Sequence, residues 1–402
     1  MRILQLCNKS PWPPKEGGSI AMNAITQSLL MEGHQVKVIA MNTNKYPVRT
    51  EDIPEDYKYQ TGIALGDVDL NIRPLHAFGH LFSKHSYIVR RFESKDFRNI
   101  LRNTLVAKKF DVIQLETLYL TPYIKDIRYL SEAKIVLRSH NIEHQIWQRY
   151  AANTNNPLKK VYLKILAAEL KNYEVNHINN YDGILPITDV DREFYEQYSR
   201  NTKIMTLPFA LKAIDLKNHM PFKTQNSLFH IGSMDWLPNQ EGIMWFLDNV
   251  WPEVYRDFPD LTFSLAGRNM PEWIQKRNDP GLVIDGEVEN AYKYMQSKNI
   301  MIVPLFSGSG IRIKILEGML NKNVVITTSI GAEGIDATDG EHLLIADDKD
   351  AFKRQIQYCM DNPEASAKIG ENAFQLVKEH YNLKDNAHKL TAFYQKLMEN
   401  NS

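Results

Sequence analysis

The sequence predicts two α/β units in tandem, each a parallel sheet with helices on both faces. Three observations lead there. Apolar segments of strand length alternate with stretches of helical periodicity along most of the chain, the pattern of parallel strands joined by crossover helices. The alternation breaks once, at "FALKAIDLKNHM" between Pro208 and Pro221, and then restarts. The chain has 402 residues, 43% hydrophobic and 24% charged, which is material for two cores of ordinary size. The boundaries expected are 1–210 for the first unit, 211–225 for a linker, 226–380 for the second unit and 381–402 for a closing helix.

In the first unit "RILQLC" is a compact strand, and "SIAMNAITQSLLMEG" is a helix that closes on Gly33, a C-cap residue. "QVKVIAM", "FDVIQLE", "KIVLRSH", "YDGILPIT" and "KIMTLPF" are the following strands. Residues 43–66 are polar and irregular and read as a loop or insertion. In the second unit the strands are "SLFHIGS", "LTFSLAG", "GLVIDGEV", "NIMIVPLF", "NVVITTS" and "HLLIAD", with helices beginning near Asn239, Pro271, Asn290 and Ile311. From Asp348 the chain is helical almost to its end, and Pro363 opens a fresh helix at the position where proline is tolerated.

Composition removes several classes of function. Lys plus Arg and Asp plus Glu are both 48, so the basic excess of a nucleic-acid binder is missing and no nucleic-acid partner is expected. Cys7 and Cys359 form neither a metal spacing nor a disulfide framework, which suits a reducing compartment. The start, "MRILQLCNKSP", is too brief for the apolar core of a signal peptide, and no apolar run reaches the roughly 18 residues of a membrane span. The expectation is a cytoplasmic protein, with contact to a membrane surface left open.

Open parallel sheets bind ligands beyond the carboxyl ends of their strands. After the first strand, Gly17 and Gly18 stand where helix N–H groups can approach an anion, although no dinucleotide fingerprint is present. After "KIVLRSH" comes "NIEH", which puts His140 at the strand end with Asn141, Glu143 and His144 behind it; this is too little for a metal site. The same cluster also reads as a helix capped by Asn141.

After "NIMIVPLF" comes "SGSGIRIKILEGML", where Gly308 and Gly310 let the backbone come close to a ligand and Ser309 can cap the helix. Arg312 and Lys314 lie in the first turn, where the helix dipole disfavours cations. They make sense against a diphosphate, with Glu317 a turn deeper for the hydroxyls of a ribose. The plain alternative, an exposed Lys314–Glu317 pair, would be worth a few tenths of a kcal/mol.

These pieces together resemble the nucleotide-sugar domain of a GT-B fold glycosyltransferase of the retaining family 4 kind. The matching stretches are "FHIGSMDWLPNQEGIMWFL", "LAGRNMP", "VIDGEVEN", "VPLFSGSGIRIKILEGML" and "VVITTSIGAEGIDATDGEHLLIADD", which span most of residues 226–350. The first half resembles the family through its "GGS" loop, "DVIQLE" and "RSHNIEH". The resemblance implies two Rossmann-like domains facing across a cleft and a last helix returning to the first domain. It implies transfer of a sugar from a UDP- or GDP-linked donor to a glycan or lipid-linked acceptor, with no separate cofactor and no metal.

By the same resemblance Glu317 binds the ribose, Arg312 and Lys314 reach the diphosphate, Gly286 and Val288 lie beside the nucleobase, and His140 sits near the donor sugar. Gly232 and Arg268 lie in matching donor-site segments, as do Ser309 and Gly310. Three places depart from the family pattern: Ser233 replaces a common arginine, the neutral "MDWLPN" holds no lysine where one is usual, and Ser309 stands where the first glutamate of a pair is usual. A sugar-nucleotide epimerase, or a scaffold on a degenerate transferase fold, is the alternative.

Residues 80–110 hold Lys84, Arg90, Arg91, Lys95, Arg98, Arg102, Lys108 and Lys109 against Glu93 and Asp96. Val89, Phe92, Phe97, Ile100 and Leu101 are interleaved, as in a basic amphipathic helix on anionic lipid. This is the expected membrane-contact patch.

Overall fold

The computed structural model describes residues 1–14, 17–45, 47–71, 86–152, 154, 156–211, 227–308 and 310–399. Ser309, Lys84 and all of the expected linker except Leu211 lie outside the described residues. The chain divides into two compact units, Met1–Ala210 with Leu383–Ser402, and Leu211–Asn382.

The first unit is built on seven parallel strands: β1 Arg2–Cys7, β2 Gln35–Thr43, β3 Ala64–Val68, β4 Val112–Glu116, β5 Lys134–Ser139, β6 Gly183–Pro186 and β7 Lys203–Ile204. Their order is β3-β2-β1-β4-β5-β6-β7, so the winding reverses between β1 and β4. β4 is buried along its whole length and β5 over all but Lys134, which is why these strands read as mainly apolar and not as alternation, with Gln114, Glu116 and Arg138 as buried polar members. The helix Leu383–Glu399 places Leu390, Phe393, Tyr394 and Leu397 in one core with Ile3, Cys7, Val136 and Leu185. Gly183 makes room for it: a Cβ there would meet the Phe393 ring at 2.8 Å.

Residues 43–66 are not a structureless loop. They contain the helix Glu55–Thr61, closed by Gly62 at φ 49°, and most of β3. The strand "ALGDV" escapes a hydrophobic reading because it sits at the sheet edge and Gly66 interrupts it. That glycine is required by contact, since a Cβ would fall 2.8 Å from the Phe97 backbone.

The helix Lys95–Ala107 also departs from expectation. Phe97 and Leu101 are fully buried in the core of the first unit, as is Val89 just before the helix. Arg98 and Arg102 both bond to the Asp126 carboxylate, and Arg98 also reaches Glu93. Packing has consumed the buried apolar members of the patch at 80–110, so they are not presented to a lipid surface.

The second unit has six parallel strands: β8 Ser227–Ile231, β9 Thr262–Ala266, β10 Leu282–Gly286, β11 Ile300–Val303, β12 Val324–Thr327 and β13 Leu344–Ile345. The order β10-β9-β8-β11-β12-β13 reverses between β8 and β11. Its core gathers Leu228, Phe246, Trp251, Phe263, Ile302, Ile326 and Phe352. The tail forms the helices Lys349–Asp361, Pro363–His380 and Leu383–Glu399, with Pro363 in the first turn of the second.

Candidate functional site

In the second unit the reversal point sets two chain segments side by side, the turn after β8 and the loop after β11. The helix after β11 runs Ile313–Leu320, so it starts two residues later than the periodicity suggests, and Arg312 occupies its N-cap. Arg312 is 5% exposed, donates to the Gly310 carbonyl, and lies with its guanidinium 5.7 Å from the centre of the Trp236 ring. Gly308, at φ 111°, admits this packing: a Cβ there would come within 3.1 Å of both Arg312 and Trp236.

Lys314 is half-buried. Its Nζ donates to Asn239 Oδ1 at 2.5 Å, lies 3.5 Å from His230 Nε2, and is 6.0 Å from the Trp236 ring centre. His230 is buried, and its Nδ1–H must be the donor to the Ile302 carbonyl at 2.8 Å, which leaves Nε2 as an acceptor facing the lysine. Burial, with the Lys314 charge behind it, keeps that imidazole neutral. Asn239 is itself fixed by donating to the Ser233 carbonyl at 2.8 Å. Two neutral acceptors therefore hold the ammonium, and among the described residues no carboxylate pairs with it. Burial, then the neighbouring Arg312, pulls Lys314 down to about 7.

Glu317 is half-buried one turn on, and burial pushes its carboxyl up to about 7. Among the described residues its carboxylate has no hydrogen bond or ion pair. The exposed Lys–Glu pair considered from the sequence does not exist.

Gly232 ends the turn after β8, and a Cβ there would stand 2.9 Å from Asn239 Nδ2 and 3.1 Å from Lys314 Nζ. Gly267 abuts it, since its own Cβ would collide with the Gly232 carbonyl at 1.8 Å. Beyond Gly267 opens a pocket of about 570 Å³, lined by Met270, Ile284, Asp285, Gly286 and Glu287 among others. Gly286 sits at φ 67°, and Val288 is half-buried in the same turn. Arg268 follows β9 and stands beside Asp235, whose carboxyl is held low chiefly by the Ser233 hydroxyl and to a smaller degree by that arginine.

In the first unit His140 lies just past β5, and its Nε2 faces Glu116 Oε2 at 3.0 Å. Glu116 ends β4, is fully buried, and accepts from Gln5 at 2.7 Å and Gln114 at 2.5 Å through its other oxygen. The imidazole thus donates through Nε2–H and keeps Nδ1 for another group. Glu143 and His144 do not join it. Glu143 accepts from the Tyr119 hydroxyl at 2.6 Å, and burial lifts its carboxyl to about 8. His144 pairs with Glu174 at 2.7 Å in the interior. Gly17 opens the helix Gly17–Met31, and Lys9 crosses it there, since a Cβ on Gly18 would meet Lys9 Cε at 2.8 Å. Among the described residues no three His, Cys, Asp or Glu side chains gather as metal ligands, and no helix is long and apolar enough to cross a membrane.

Sequence reasoning did not single out Glu116, His230, Trp236 or Asn239. For Glu116 a signal existed, a carboxylate closing the strand "VIQLE". For Asn239 none did, because its role depends on a partner 75 positions away.

Residues 225–362 match the family model described as Glycosyl transferases group 1. That segment is similar to the glycosyltransferase domains the model describes. It contains Gly232, Asn239, Gly267, Gly286, Arg312, Lys314 and Glu317. Over 397 residues, 95% of this chain and 97% of the relative, the sequence is 25% identical to an uncharacterized 44.6 kDa protein in the cps region of Klebsiella pneumoniae. Among solved structures, sucrose-phosphate synthase from Thermosynechococcus elongatus is 13% identical, with 99% of this chain and 100% of that one covered at a TM-score of 0.67. Anabaena HepE, solved in complex with UDP, is 11% identical, with 98% and 100% covered at 0.64. The two parallel-sheet units share the GT-B fold of these proteins.

Proposed function

We propose that the chain moves a hexosyl group from a UDP-linked donor to a glycan or lipid-linked acceptor, with retention of configuration in the manner of family 4, as a step of polysaccharide biosynthesis. One observation carries the reading: the Lys314 ammonium is held by Asn239 and His230, both neutral, so its charge has no acidic partner among the described residues. A diphosphate is the anion that fits, with Arg312 on the same tryptophan. Glu317, buried and unbonded, suits two ribose hydroxyls, and the glycine-walled pocket that follows suits a base. HepE has been solved with UDP, and the Klebsiella relative lies in a cps region; both favour this assignment.

The chemistry follows from charge. As the glycosidic bond breaks, negative charge gathers on the leaving diphosphate. Two fixed cations beside it stabilise that state more than the ground state. His140, braced by Glu116, is assigned to the transferred sugar, with Nδ1 available to accept from a hydroxyl.

Thermal shift of the full chain with UDP and GDP tests the donor site. At 100 times its dissociation constant the right nucleotide stabilises by about 2.7 kcal/mol. No shift with any nucleoside diphosphate would sink the reading. A shift without slow hydrolysis of any UDP-hexose would leave a binding protein. The anomeric proton resonance of the first product formed reports retention or inversion.

A further inference from the structure

The helix Pro157–His177 of the first unit carries three exposed aliphatic side chains, Leu158 at 83%, Val161 at 58% and Ile165 at 42%. At 100° per residue they fall within an arc of about 60°. The helix has a separate inward face, where Leu163, Leu166, Leu170 and Tyr173 are buried. Its amphipathic packing is therefore satisfied without the exposed crest. Lys160, Lys164 and Lys171 form a second row, within about 40° of one another and next to the crest. The acids of the helix are Glu169, half-buried at the opposite border, and Glu174, buried and paired with His144.

We infer that this crest and lysine row form the surface by which the chain lies on an anionic lipid bilayer. Charge complementarity selects that occupant. Protein interfaces are depleted of lysine and centre on aromatic residues or arginine, whereas here the apolar groups are aliphatic and every charge of the row is a lysine. Lysine stems lie along apolar surface while the ammonium stays at headgroup level, and aliphatic tips enter the acyl boundary. The crest and its lysines extend over about 20 Å of helix, so contact is made along a line, as a plane requires. The surface replaces the patch at 80–110, where Phe97 and Leu101 are buried.

The test is co-sedimentation of the full chain with vesicles of phosphatidylcholine alone and with 30% phosphatidylglycerol, a fraction of about the order found in anionic leaflets, at low and high salt and without nucleotide. Wild type should bind only the anionic vesicles and release in high salt. Each lysine is worth roughly fivefold, so Lys160→Gln/Lys164→Gln/Lys171→Gln should weaken binding about a hundredfold. Leu158→Ser/Val161→Ser/Ile165→Ser should weaken it at least about tenfold. Both triple variants should melt as wild type, because the altered groups are outside the core. No binding at low salt overturns the inference, as does unchanged binding of the aliphatic variant. Self-association of wild type that the aliphatic variant abolishes, without vesicle binding, would make the crest a protein interface and also overturn it. Lys314→Ala should bind vesicles as wild type does, so the donor-site reading stands or falls separately.

Discussion

Glu317→Gln should make the unliganded protein more stable while impairing it as a nucleotide binder. The carboxyl is half-buried, has no bonding partner among the described residues, and is pushed by burial from 4.5 to about 7. A raised carboxyl loses stability as pH climbs through that interval and keeps the deficit above it. At about 1.4 kcal/mol per tenfold change in proton affinity, ionising it costs at most about 3.4 kcal/mol at pH 8. Partial exposure brings this to about 2 kcal/mol. For a unit of the size of Leu211–Asn382 that is a rise of about 4–8 °C in melting temperature. Lys314 titrates in both proteins and cancels in the comparison. At pH 4 the carboxyl is protonated when folded and mostly protonated when unfolded, so the two melting curves should nearly coincide. UDP affinity should meanwhile fall by about tenfold or more, as charged acceptors of hydroxyl bonds are worth about 1.5–3 kcal/mol. Melting at pH 4 and pH 8, with calorimetric UDP titration, measures all of this. An unchanged or lower melting temperature at pH 8, or an equal gap at pH 4, would refute the argument that Glu317 sits there against the interest of the fold.

Lys314, brought to about 7, must be protonated to hold a diphosphate. UDP affinity should therefore decline above pH 7 by up to about tenfold per unit; Lys314→Ala should lose about 10- to 150-fold at pH 6.5 and show no alkaline decline. Gly232→Ala crowds Asn239 and Lys314 at 2.9 and 3.1 Å, and titration should show weaker UDP binding with little change in melting temperature. His140→Ala should lower turnover strongly with UDP affinity near wild type, and Glu116→Gln should reproduce the loss of turnover in part, since it removes the charge that orients the imidazole but leaves its shape; equal loss of UDP affinity in either would place the pair elsewhere.

Most of the sheet was legible because parallel strands buried on both faces spell themselves as apolar runs: "KIVLRS" and "SLFHI" allow little else. The edge strand β3 was not, since one covered face and a contact glycine leave no pattern to read. In the candidate site the charges of "GIRIKILEG" were visible as a local anomaly, a helix start with the wrong sign. What fixes them was not. A helical wheel that begins at Ile311 assigns Arg312 to a first turn reaching outward, whereas the structure buries it as a cap against Trp236. The neutral cradle of Lys314 comes from β8 and the helix after it, a long-range pairing that no window of sequence contains. Residues 80–110 were ambiguous for a related reason. Alternating arginine and phenylalanine looks the same whether the phenylalanine meets lipid or a neighbouring strand.

The helix Leu383–Glu399 has an implication for how the molecule comes into being. Its Tyr394 hydroxyl donates to Gln114, Gln114 donates to Glu116, and Glu116 holds His140. These links join residues made before the second unit to a residue made after it. The unit Leu211–Asn382 is complete when it leaves the ribosome, while the unit that began first still lacks Leu390, Phe393 and Tyr394. At about 5–20 residues per second the older unit waits roughly ten to forty seconds with that side of its sheet only partly covered, by the helix Gly17–Met31. Vectorial folding is inverted here: the unit begun first is completed after the unit that follows it, and the Tyr394 link toward Glu116 and His140 forms only after the second unit has been made.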